Sequence, residues 1–79
     1  MTAHLRLDPI RLARLRLERG WSQVDLWERS GIHYVTIARI ESGKQQARPV
    51  TIRTLANVFG ISITELAEVY EDAPAGGVA

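Results

Sequence analysis

Gln23 to Ser42, QVDLWERSGIHYVTIARIES, is the stretch whose reading decides the fold. It reads as one helix from Ser22 to about Ser30, a turn at Gly31, and a second helix from His33 to about Ser42. Leu26, Ile32, Ile37 and Ile40 fall at spacings that let two short helices share one apolar seam. His33, Tyr34, Thr36 and Arg39 are then left on the outer face of the second helix. Two helices joined by a short turn containing Gly form a unit whose second helix can lie in a DNA major groove.

Outward from that stretch, the remaining chain supplies helices that close a core around it. Asp8-Pro9 is an N-cap followed by proline at the first helical position, a strong start signal. The helix it opens runs to Arg19 and stops at Gly20, with Leu12, Leu15 and Ala13 as its core stripe. Ile10 and Leu17, seven apart, lie on a neighbouring line and are surplus to a monomer core. Ser22 with Asp25 makes a capping signature for the second helix. After Gly43 comes the polar loop KQQARP, and Pro49 fixes entry to a fourth helix from about Val50 to Phe59. Its apolar set is Ile52, Leu55, Ala56 and Phe59. Ser62 and Glu65 form another capping box, which predicts a fifth helix from Ile63 to about Tyr70 with Leu66, Val69 and Tyr70 as its apolar members. The expected architecture is all-α, a compact five-helix bundle with the two-helix unit at its centre. Residues 8–70 form the domain, residues 1–7 an N-terminal arm expected to be disordered with Leu7 loosely docked, and residues 71–79 a disordered tail. Alternation of Leu5 and Leu7 with His4 and Arg6 also allows a short strand in the arm.

The 79 residues permit one small domain. There is no cysteine, and the two histidines, His4 and His33, are far apart, so neither a disulfide framework nor a structural metal site is expected. No apolar run is long enough to span a membrane and no signal peptide is evident, so a cytoplasmic protein is expected. The net charge of +1 hides an asymmetry: residues 1–53 hold all ten Lys and Arg against five acids, giving +5, while residues 54–79 hold four acids and no base, giving −4. A basic portion suits a polyanion, with the acidic end facing elsewhere. Catalysis finds no support: no nucleophile has an evident base and no Gly-rich phosphate loop exists, so neither an enzyme nor a cofactor is expected.

The order of these features resembles the lambda-repressor-like, Cro/cI or XRE-type helix-turn-helix family over about residues 8–70. The resemblance is carried by Arg16, Gly20-Trp21-Ser22-Gln23, Leu26, Gly31-Ile32, Thr36-Ile37, Ile40-Glu41, Gly43, Thr51-Ile52, Leu55-Ala56 and Phe59-Gly60-Ile61-Ser62. It implies that Gln23, together with the N-terminus of the second helix, holds a DNA phosphate. It assigns base reading to Tyr34, Val35 and Arg39 with His33 and Thr36 assisting, and backbone clamping to Ser42, Lys44 and Arg48. Arg39 has the fork geometry for guanine. It also implies a structural pair between Glu41 and a basic residue, for which Arg16 is the candidate. Two positions depart from the family pattern. Trp27 stands where alanine is usual, at the close crossing of the second and third helices. Either the third helix tilts away or Trp27 points outward and makes a contact of its own. His33 replaces the usual Ser or Thr cap, which costs about 1 kcal/mol unless the imidazole substitutes.

The function implied is a sequence-specific DNA-binding transcriptional regulator, expected to repress, that binds a palindromic operator as a homodimer. Leu66, Val69 and Tyr70 are the candidate dimer contacts, with Ile10, Leu17 and the arm as the competing surface. The alternatives on the same fold are an antitoxin or other protein-interaction module, with a toxin or second regulator as partner, and a restriction-modification controller.

Overall fold

Asp8 begins the first helix in the way its chemistry allows. In a computed structural model, which describes residues 3–71, its carboxylate accepts from the backbone N–H groups of Ile10 at 3.0 Å and Arg11 at 3.3 Å. Helix α1 (Pro9–Glu18) is followed by α2 (Gln23–Ser30), α3 (Tyr34–Glu41) and α4 (Pro49–Phe59). The Ser22–Asp25 box forms in both directions: Asp25 N–H donates to Ser22 Oγ at 3.0 Å and Ser22 N–H to the Asp25 carboxylate at 2.8 Å. Those bonds from Ser22 hold the Asp25 carboxyl below the usual carboxylate range. α3 ends in a tight reversal at Gly43, whose φ of +79° only glycine adopts without strain. There the N–H of Lys44 donates to Arg39 O at 2.9 Å and that of Gly43 to Ile40 O at 3.1 Å, which tucks Lys44 back beside α3.

The shared seam is as the spacing predicts. Leu26, Ile37 and Ile40 are buried together with Leu12, Ile52, Leu55, Ala56 and Phe59, and Leu15 and Ile32 pack on the same core. Each Leu or Ile so buried contributes about 1.5–3 kcal/mol before the cost of ordering the chain is counted. Ile10 and Leu17 stay out of it, at 71% and 63% exposure. At the far end of α1, Trp21 stacks on Phe59 with 5.8 Å between ring centroids. Arg19 ties this corner by donating to Leu15 O and Phe59 O, each at 2.9 Å.

The fifth helix is not there. The four helices among the described residues are joined instead by a two-stranded antiparallel sheet of β1 (Ala3–Leu7) and β2 (Ala67–Glu71), so the molecule is helical but not all-α. The Ser62–Glu65 box does form, with Ser62 N–H donating to Glu65 at 2.8 Å, and it holds the Glu65 carboxyl below its usual range. It opens only a single 3₁₀ turn, Ile63–Glu65. A helix of eight residues is marginal by itself, and the residues after Leu66 have a better partner in residues 3–7. The register sets His4 against Tyr70, Leu5 against Val69, Arg6 against Glu68 and Leu7 against Ala67. His4 stacks on Tyr70 at 5.3 Å and the Arg6 guanidinium lies 4.7 Å from the same ring, the kind of cross-strand contacts that stabilise a sheet. Leu7 and Ala67, on the inner face, are buried in the core. Asp8 N–H donates to Leu66 O at 3.1 Å and fastens the start of α1 to this junction. Residues 3–7, read from sequence as an arm, are thus a strand whose Leu7 is 2% exposed. Of the tail read at 71–79, only the backbone of Glu71, in β2, falls within the described residues.

Candidate nucleic-acid interface

The surface of interest is built on a nearly buried ion pair. Arg16, on α1, donates from Nε to Glu41 Oε2 at 2.7 Å and from Nη2 to Oε1 at 2.9 Å, and its Nη1 reaches Trp21 O at 2.8 Å. The two side chains are only 11% and 8% exposed. The bond to Glu41, against the opposing cost of burial, raises the Arg16 pKa. A fork-on-fork pair fixes orientation as well as distance, so the C-terminal end of α3 is pinned to α1. Gln23, the first residue of α2, joins this cluster by donating from Nε2 to Glu41 Oε1 at 3.1 Å. One carboxylate therefore sets the relative positions of α1, α2 and α3.

Over this base lies a cleft of about 500 Å³ lined by Gln23, Tyr34, Val35, Ala38, Arg39, Ser42 and Lys44. Six residues expected to touch DNA are thereby gathered on one surface. Tyr34 and Val35 are 40% and 42% exposed and present apolar surface to this cleft. Ala38 is an addition that the sequence reading lacks. Its place is set by the four-residue spacing of Tyr34, Ala38 and Ser42, which puts a small side chain on the cleft floor between two larger ones. Thr36 is half-buried and lies outside the cleft, as does Arg48, the exposed N-cap of α4, whose side chain makes no capping bond. Ser42 is partly committed already, since its hydroxyl donates to Arg39 O at 3.1 Å.

Several basic side chains are committed to the fold. Arg11 donates to Glu65 O at 3.0 Å, Arg16 and Arg19 are bonded as described, and Arg29 lies 4.4 Å over the Trp21 ring. These hold the fold. Arg39 forms no ion pair among the described residues. Lys44 is exposed beside it.

Trp27 takes the outward solution. It is 36% exposed, and its ring centroid lies 4.5 Å from that of His33 and 5.5 Å from that of Tyr34. His33 and Tyr34 stack on each other at 4.6 Å. His33 does substitute for the usual hydroxyl cap, because Val35 N–H donates to its Nδ1 at 3.1 Å. One expected dimer contact is corrected: Leu66 is fully buried, since it closes the core after the 3₁₀ turn instead of lining an exposed helix. Val69 and Tyr70 remain at the surface at 59% and 38% exposure, but on opposite faces of the sheet.

Comparison with known proteins identifies the family and the fold. A family model described as helix-turn-helix matches residues 12–66. An uncharacterised HTH-type transcriptional regulator, y4dJ, of Sinorhizobium fredii is 33% identical over 64 residues, covering 81% of this chain and 83% of the relative. Among solved structures, the restriction-modification controller protein C.AhdI of Aeromonas hydrophila superposes with a TM-score of 0.69 at 32% identity, over 72% of this chain and 86% of that one. A variant of hydroxyethylphosphonate dioxygenase also reaches a TM-score of 0.69, but at 19% identity and over only 15% of its own chain, so it shares the fold alone. The chain belongs to the helix-turn-helix family of the lambda-repressor-like, XRE type.

Proposed function

We propose that this protein is a sequence-specific DNA-binding transcriptional regulator that inserts α3 into the major groove and acts as a homodimer on a two-fold operator. The observation that carries the reading is the α3 cleft, where Arg39 and Lys44 stand uncommitted among exposed Tyr34 and Val35 over a floor held rigid by Arg16–Glu41. Arg39 reads a guanine edge, with Tyr34 and Val35 filling the groove around it. Lys44 and Arg48 bind phosphates, Gln23 adds a phosphate contact through its amide and the N-terminus of α2, and Ser42 joins by turning its hydroxyl off Arg39 O. The outer, half-buried Thr36 plays a lesser part. A monomer makes too few such contacts for useful specificity, and two half-sites about one helical turn apart supply the rest. With Leu66 withdrawn into the core, Val69 and Tyr70 on the sheet and the Ile10–Leu17 line on α1 are the surfaces left for pairing.

A restriction-modification controller is a variant compatible with this reading, because C.AhdI is similar over 86% of its own chain. A toxin partner has no comparable support. Selection of bound sequences from random duplexes tests the proposal: a palindromic motif is expected, and a flat result refutes it.

A further inference from the structure

Val35, His33 and Trp27 together fix what the start of α3 can ask of a base. A backbone N–H can only donate, so the 3.1 Å bond from Val35 N–H to His33 Nδ1 occupies that nitrogen's lone pair. The ring hydrogen is therefore on Nε2, which makes no hydrogen bond among the described residues. His33 is exposed, and its ring meets two others in a three-ring cluster, stacked on Tyr34 at 4.6 Å and tilted against Trp27 at 4.5 Å. Trp27 comes from α2 and, among the described residues, its indole N–H has no hydrogen-bond partner that requires the ring there. An imidazole bonded at one nitrogen and held against two rings has lost much of its rotational freedom, so its one remaining donor points in a fixed direction at little entropic cost on binding.

We infer that His33 is a specificity-determining residue that donates from Nε2 to a base acceptor in the major groove, and that Trp27 is the positioning residue that holds it there. The inference rests on the DNA reading proposed above. The acceptor is a purine N7, a guanine O6 or a thymine O4. Cytosine offers only its amino group on that edge, so the base facing His33 is any base but cytosine. This is a rule of exclusion, distinct from the positive choice of guanine by Arg39.

Substitutions separate this role from capping. His33→Ser keeps a good N-cap and withdraws the donor, because the serine hydroxyl ends well short of where Nε2 stands. Binding is measured to the selected operator and to its single-base variants. The wild type is expected to bind the variant with cytosine at one position per half-site about three- to tenfold more weakly than the other three, the effect of one lost hydrogen bond. His33→Ser abolishes that penalty alone, leaves the preference set by Arg39 intact, and melts no lower than the wild type. Trp27→Phe keeps the penalty through its ring. Trp27→Ala reduces it at the same position by about two- to tenfold, and Trp27→Ala added to His33→Ser changes nothing further there. A wild type indifferent to cytosine at every position overturns the inference while leaving the DNA reading standing. So does a Trp27→Ala effect that is spread evenly over all positions or adds in full to that of His33→Ser, which would make Trp27 a contact in its own right. If the wild type selects no motif, both readings fall together.

Discussion

Removing the Glu41 carboxylate should cost this fold more than any other single change on its surface. An exposed ion pair contributes under about 1 kcal/mol, whereas breaking a fully buried pair by deleting one partner costs about 3–5 kcal/mol. At 11% and 8% exposure Arg16 and Glu41 lie near the buried limit. In Glu41→Ala the guanidinium keeps its bond to Trp21 O, which offsets part of the loss, but Gln23 is released as well. The expected destabilisation is therefore about 3 kcal/mol, a large part of the roughly 5–15 kcal/mol that holds such a domain together. For a chain of this size that lowers Tm by roughly 12–24 °C, read by circular dichroism melting near neutral pH. The partner control is Arg16→Met with Glu41→Leu, which removes both charges and should recover much of the loss. A Tm drop of less than about 5 °C in Glu41→Ala would refute the reasoning, because the pair would then behave as an ordinary surface contact.

Three further outcomes are expected. Arg39→Ala should lose about 1–3 kcal/mol of binding and relax preference at one base pair per half-site; an equal loss on every sequence would make Arg39 a phosphate contact. Lys44→Ala should weaken all sequences evenly and lower the slope of log affinity against log salt by about one, measured by fluorescence anisotropy at several salt concentrations. Asp25 and Glu65 are both lowered below their ordinary values by the bonds from Ser22 and Ser62. Their contribution to stability is thus fully present above the ordinary carboxylate range and is lost as pH falls through the lowered values. Asp25→Asn with Glu65→Gln should flatten the acid limb of a denaturation profile between about pH 5 and pH 2.

Whatever depends on near neighbours is legible in the sequence. Asp8-Pro9, the Ser22–Asp25 box and the terminal glycines set helix ends by bonds that span only a few residues, and all act as their spacing predicts. The seam of Leu26, Ile37 and Ile40 is equally plain, since periodicity encodes it. The segment after Leu66 is not, because the same capping box that starts a helix also starts a single 3₁₀ turn. Whether residues 67–71 then coil or extend depends on residues 3–7, far away in the chain. The base of the site came from resemblance, with Arg16 meeting Glu41 as expected, while the bond of Gln23 to the same carboxylate has no local signal. The two departures, Trp27 and His33, each look like a defect when read singly. In space they resolve one another, since the ring that does not fit between the helices leans on the ring that caps the third.

The β1–β2 pairing has a consequence for how this molecule assembles. The ties among α1 to α4, such as Arg16 to Glu41 and Arg19 to Phe59, close shorter loops than the sheet, which pairs Leu7 with Ala67 and Ala3 with Glu71. Closing a loop that encloses the whole helical unit must wait until that unit has shortened the distance between its ends. The sheet is then a latch that engages last and, by the same token, opens first, so its amides should exchange with solvent sooner than those of α2 and α3. Because Asp8 N–H is held by Leu66 O at the root of the latch, opening it frees the start of α1 and exposes Leu7 while leaving the reading helix in place.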